Sequence, residues 1–146
     1  LRLSRTSWSW PPYALAFGAV PGFVSYGFDG QPPSWWATAC FAIIGVSAHL
    51  ANALPDLELD VAAGRGGSAV QLGRRRSVLV CWTLLAAGTA ILAVVAASSH
   101  WWVSGGLIGG FLAAVAFGTR SPMRSGMFVG IMLAVVVDVV AVVAVT

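Results

Sequence analysis

Polar and apolar positions along this chain do not alternate, and they do not recur on one face of a helix. They fall into long blocks. Five predominantly apolar segments, roughly 11–28, 35–54, 77–97, 101–119 and 126–146, are separated by short polar pieces. A helix needs about 20 apolar residues to cross the hydrocarbon core of a bilayer, with a range of about 17–25. The five blocks meet or approach that length, and the last is almost pure Val, Ala, Ile and Met. In lipid only helices and closed barrels satisfy the backbone, and barrel strands would alternate. The pattern therefore predicts an all-α integral membrane bundle of five transmembrane helices in a single domain, 1–146.

The connecting pieces differ in charge. DGQPPS (29–34) and SSH (98–100) contain no Arg. Arg2 and Arg5 precede the first block, Arg65, Arg74, Arg75 and Arg76 lie between the second and third, and Arg120 and Arg124 between the fourth and fifth. If the blocks cross in alternation, all eight Arg fall on one side, which the positive-inside rule makes cytoplasmic. Trp35, Trp36, Trp101 and Trp102 then mark the outer interface, and Trp8 and Trp10 the inner one.

Composition agrees. The chain is 58% hydrophobic and 9% charged, with no Lys, where a soluble domain carries about 25% charged residues. The pI near 9.5 suggests nucleic acid, but the Arg are scattered between apolar blocks and form no basic face, so nucleic acid is not an expected partner. Cys40 and Cys81 lack metal-type spacing and fall near opposite faces of the membrane, beyond the roughly 7 Å reach of a disulfide, so both are expected as free thiols. Gly105, Gly106, Gly109 and Gly110 form two overlapping GxxxG pairs, expected to let helices approach closely. Pro21 reads as a kink and Pro122 as a turn. The first residue is Leu, which suggests part of a longer chain.

One patch breaks the economy of charge. HLANALPDLELD (49–60) holds Asp56, Glu58 and Asp60, three of the five acidic residues. Asn52, Asp56 and Asp60 are spaced by four, so an unbroken helix would align them within about 80°. Pro55 interrupts that helix and frees the carbonyl of Ala51, so a kink or a fresh helix start is expected. Two carboxylates and an amide at a membrane surface suit a hard cation, and Mg²⁺ takes one or two carboxylates and completes its shell with water and substrate phosphate. The following loop, AAGRGGSAVQLGRRR, offers Arg65 as a fork for phosphate oxygens. The plainer reading is that the acidic residues are solvated loop and the Arg only set topology. The loop lacks the GxxxxGK[ST] pattern of a nucleotide-binding P-loop.

Asn52-x-x-x-Asp56-x-x-x-Asp60, followed by this loop and LGRR (72–75), resembles the second aspartate motif of the UbiA superfamily of membrane prenyltransferases. The resemblance implies a nine-helix fold of which this chain is the C-terminal half. It implies Mg²⁺ held by Asp56 and Asp60, with Asn52 lining the same site and Arg65 near the diphosphate. The implied partners are a prenyl diphosphate, an acceptor that is often aromatic, membrane lipids, and an N-terminal half carrying the first aspartate motif. The implied reaction is transfer of the isoprenyl group as the diphosphate departs, at the cytoplasmic side. Family members often read GKRTLxxRLG where this chain has GRGGSAVQLG, so Gly66 and Gln71 stand in place of basic residues. A UbiA-type terpene cyclase and a non-enzymatic transport or assembly subunit are the alternatives.

Three polar groups lie within the blocks or at their edges. Asp138 falls near the middle of the last block, where a carboxylate is costly and a partner is expected; Thr89, at similar depth in the third block, is one candidate. His49 lies one turn inside the membrane from Asn52, placed either to line the substrate cavity or to sit at the interface. His100, beside Trp101 and Trp102, reads as interfacial.

Overall fold

In a computed structural model, residues 6–28, 30–97, 101–120 and 126–145 are described, with the side chains of the last helix described through Ala141. Arg2, Arg5, His100, Pro122 and Arg124 lie outside the described residues. Every regular element among the described residues is helical. A short 3-10 turn, Ser7–Ser9, leads into α1 (Pro11–Gly18) and α2 (Val20–Phe28), followed by α3 (Trp35–Ala53), α4 (Leu57–Ala62), α5 (Ser68–Ala97), α6 (Trp101–Arg120) and α7 (Gly126–Val145).

Three helices, α3, α5 and α6, are long and apolar enough to cross a membrane, and α7 supplies a shorter apolar stretch over Gly126–Ala141. The first apolar block forms two short helices instead of one long one. Pro21 has no N–H to return to the carbonyl of Phe17. The chain re-forms its ladder around Ala19, whose N–H bonds Leu15 O at 3.0 Å and whose carbonyl accepts from Phe23 N at 3.1 Å.

Pro55 acts as expected at the end of α3. The helix stops at Ala53, and the carbonyl of Ala51 that Pro55 leaves free accepts instead from Leu54 N at 3.1 Å. The chain turns and restarts as α4 at Leu57. Gly73 (φ 73°) interrupts α5, and Ser77 Oγ bridges the break by donating to Ala69 O at 3.3 Å.

The bundle is α3, α5, α6 and α7, with α1 laid along α3. One core cluster joins Leu50, Leu54 and Leu57 to Cys81, Leu85 and Ile131. A second joins Cys40, Leu92, Leu107 and Ala141. Both cysteines are free and buried, as their spacing indicated.

The glycine expectation needs correction. Among the described residues an added Cβ at Gly105, Gly106 or Gly109 would meet nothing within 4 Å, and of the four glycines only Gly110 faces a described neighbour, Val137. The close crossings lie elsewhere. A Cβ on Gly130 would stand 2.7 Å from Gly118 Cα, and one on Gly45 would stand 2.6 Å from Tyr13 O. The closest backbone approaches of α6 to α7 and of α1 to α3 therefore fall at glycines outside the GxxxG pairs, while Gly110 of one pair packs on Val137 of α7.

Candidate functional site

The acidic patch is built by two local stop signals, Pro55 before it and Gly64 after it. α4 ends in a Schellman arrangement: Gly64 takes φ +63°, Gly64 N bonds Val61 O at 3.1 Å, and Arg65 N bonds Asp60 O at 2.8 Å. This turn folds Arg65 back over Asp60, and its guanidinium donates to Asp60 Oδ1 at 2.9 Å. The sequence D-V-A-A-G-R thus sets the ion pair through backbone geometry.

Asn52 is exposed at the last turn of α3, while Asp56 sits in the turn and Asp60 on α4. They do not share one continuous helical stripe. The step of four from Asp56 to Asp60 survives, because Asp56 O accepts from Asp60 N at 2.9 Å. The exposed Asp56 carboxylate makes no hydrogen bond or ion pair among the described residues. Glu58 is directed elsewhere, toward Arg74. It receives two hydrogen bonds from Arg74, at 2.9 and 3.2 Å, and Arg74 also donates to Leu54 O at 3.1 Å. That contact ties the turn after α3 to the start of α5.

Among the described residues no three His, Cys, Asp or Glu side chains gather to hold a metal. The donor set fits Mg²⁺ in a more limited way. It is all oxygen, it opens to water, and one of its two carboxylates is uncommitted. A magnesium site needs only one or two carboxylates when water and phosphate supply the rest.

His49 belongs to a separate polar cluster. Its ring stacks on Tyr13 with centroids 4.0 Å apart, and its Nε2 lies 3.0 Å from Ser9 Oγ. Ser9 Oγ lies 2.7 Å from Ser68 Oγ and accepts from Ser68 N at 3.0 Å. Ser68 Oγ donates its one proton to Ser7 O at 2.9 Å. A hydroxyl has a single proton to give. Ser9 must therefore donate to Ser68 Oγ, and His49 must donate to Ser9 from Nε2–H. In that arrangement His49 does not act as a base toward Ser9. The cluster fastens the N-terminal turn to α3 and to the start of α5.

Sequence reading missed this cluster, because Ser9 stands 40 residues from His49 and 59 from Ser68. It also missed a cavity of about 670 Å³ between the N-terminal turn with α1, α3 and α5. Ile43, Val46, Val80 and Leu84 form apolar walls, and Ser7, Ser68 and Gln71 supply polar groups. Neither Asp56 nor Asp60 lines it.

Asp138 is 1% exposed, and its Oδ1 accepts from Thr89 Oγ1 at 2.8 Å. The partner proposed from depth along the helix is the partner found. Its Oδ2 has no hydrogen-bond partner among the described residues. No protein family, curated protein or solved structure matches the chain.

Proposed function

We propose that this chain is the C-terminal half of a UbiA-like integral membrane prenyltransferase, five spans of a nine-helix fold, transferring an isoprenyl group from a prenyl diphosphate to an acceptor. The observation that carries the reading is the carboxylate of Asp56, which makes no hydrogen bond or ion pair among the described residues, one turn from Asp60 at the water-facing end of an apolar helix. An exposed carboxylate one turn from a second one, at a membrane surface, offers oxygen ligands to a hard cation that completes its shell with water and phosphate.

In this reading Asp56 and Asp60 hold Mg²⁺, with the amide of Asn52 nearby. The ion, when bound, neutralises charge on a departing diphosphate. Arg65 is positioned by the Schellman turn. It balances Asp60 in the absence of ligand, and its fork matches phosphate oxygens when a diphosphate arrives. The Glu58–Arg74 contact keeps the turn against α5, so that both carboxylates are presented from a fixed frame. The apolar interior of the bundle excludes water from a reactive cation. The first aspartate motif, supplied by an N-terminal half, completes the site on the cytoplasmic side.

The test is diphosphate release by the complete protein. Asp56→Asn abolishes Mg²⁺-dependent release while insertion and folding are retained. Full activity in that variant overturns the assignment. Product analysis without an acceptor separates transfer from cyclisation. The Oδ2 of Asp138, buried and without a partner among the described residues, favours a transport or assembly subunit as the second reading; solute movement without diphosphate release would select it.

A further inference from the structure

The cavity between α1, α3 and α5 opens a second question, independent of the catalytic reading. Its walls come from α3 and α5, both long and apolar enough to lie in a bilayer. Its polar groups, Ser7, Ser68 and Gln71, belong to the N-terminal turn and to the opening turns of α5, the segment that also carries Arg74, Arg75 and Arg76. Two of the nearby arginines are balanced, Arg65 by Asp60 and Arg74 by Glu58. Arg75 and Arg76 are exposed and make no ion pair among the described residues.

The position of Arg76 matters more than its charge alone. Beyond the Gly73 break, Arg76, Val80 and Leu84 follow one another at steps of four on one stripe of α5. Val80 and Leu84 line the cavity. Arg76 therefore stands one turn past them, toward the polar end. Helical side chains slant toward the N-terminus, so its head is carried away from the apolar wall and toward water. Arg76 does not itself line the cavity; an apolar slot with a guanidinium one turn beyond its wall, making no ion pair among the described residues, complements an apolar chain that bears an anionic head.

We infer that this groove holds one acyl chain of an anionic phospholipid, with the lipid phosphate on Arg76. The chain lies along Ile43, Val46, Val80 and Leu84, and Ser68 and Gln71 face the headgroup region. Basic sites between membrane helices select anionic headgroups in this way. The lipid comes from the leaflet on the arginine side. The aspartate patch does not line the groove, so a cation held by Asp56 and Asp60 is not required for binding.

The experiment is titration of the purified full chain with dioleoyl phosphatidylglycerol and dioleoyl phosphatidylcholine, read by native mass spectrometry. The two lipids share acyl chains and differ in net headgroup charge. The expected result is one tightly held phosphatidylglycerol per chain, about fivefold tighter than phosphatidylcholine. Arg76→Gln removes that preference, and Arg120→Gln retains it. Val46→Trp, which fills the groove, weakens both lipids; if that variant does not fold, Ala14→Leu serves the same purpose. Equal binding of the two lipids by the native chain overturns the proposal. So does a preference that survives Arg76→Gln, or undiminished binding when the groove is filled. Geranyl diphosphate is added as a competitor. One-for-one displacement of phosphatidylglycerol assigns the groove to the diphosphate and also overturns it.

Discussion

The hydroxyl of Thr89 on α5 donates to the carboxyl of Asp138 on α7 across 2.8 Å, in a site from which water is excluded. It is a side chain–side chain bond that joins two helices inside the bundle. Thr89→Val leaves both carboxyl oxygens without a partner among the described residues. The expected loss is about 1–3 kcal/mol of stability, because a buried polar group is left unsatisfied. Asp138→Leu in the same background recovers part of that loss, since no polar group then remains. Denaturant titration in detergent measures both, and equal losses in single and double variants would remove the pair from the account.

The α6–α7 crossing makes a contrast within one family of substitutions. Gly130→Val places new atoms against Gly118 and Ala114, where an added Cβ already stands 2.7 Å from backbone. A cost of about 1–3 kcal/mol is expected from overpacking. Gly105→Ala and Gly109→Ala meet nothing within 4 Å among the described residues and are expected to change stability by less than about 0.5 kcal/mol. Thermal unfolding of the three variants side by side checks this ordering.

The hydrogen-bond order around Ser9 predicts a protonated Nε2 and an unprotonated Nδ1 on neutral His49. Nitrogen chemical shifts of the imidazole in the folded protein read this directly. Ser9→Ala deprives His49 Nε2–H and the Ser68 N–H of their shared acceptor, and costs about 1–3 kcal/mol. His49→Gln retains an N–H donor at the end of the side chain and is expected to cost less than His49→Leu.

Glu58 and Arg74 are both substantially exposed, so their ion pair contributes at most about 1 kcal/mol. Glu58→Gln is accordingly mild. Arg74→Gln is worse, because Arg74 also satisfies the carbonyl of Leu54 at the end of α3. Comparing the two by unfolding midpoint separates the backbone contact from the charge pair.

Metal dependence gives a prediction for the complete protein. On the proposed prenyltransferase reading, a chelator is expected to stop diphosphate release, Mg²⁺ to restore it, and Asp60→Asn to raise the Mg²⁺ concentration needed. Arg65→Gln leaves folding intact, because its salt bridge is exposed. The same variant weakens use of the diphosphate substrate, read as a rise in KM.

Local signals along the sequence determined the helical, membrane-suited character of the chain, the kink at Pro21, the restart after Pro55, and the free cysteines. Each depends on residues close in sequence or on hydropathy summed over a window. The Asp138–Thr89 pair was legible because depth along a transmembrane helix is a one-dimensional property. Tertiary structure alone decided that His49 joins Ser9 and Ser68, that Gly118 and Gly130 make the close crossing, that a groove forms beside Val46 and Val80, and that Arg65 and Arg74 are neutralised while Arg76 makes no ion pair among the described residues. The physical reason is the solvent. A helix in water reveals its buried face by amphipathic spacing. A helix in lipid is apolar on every side, so its sequence states where it sits in the membrane and leaves its rotation about its own axis to packing.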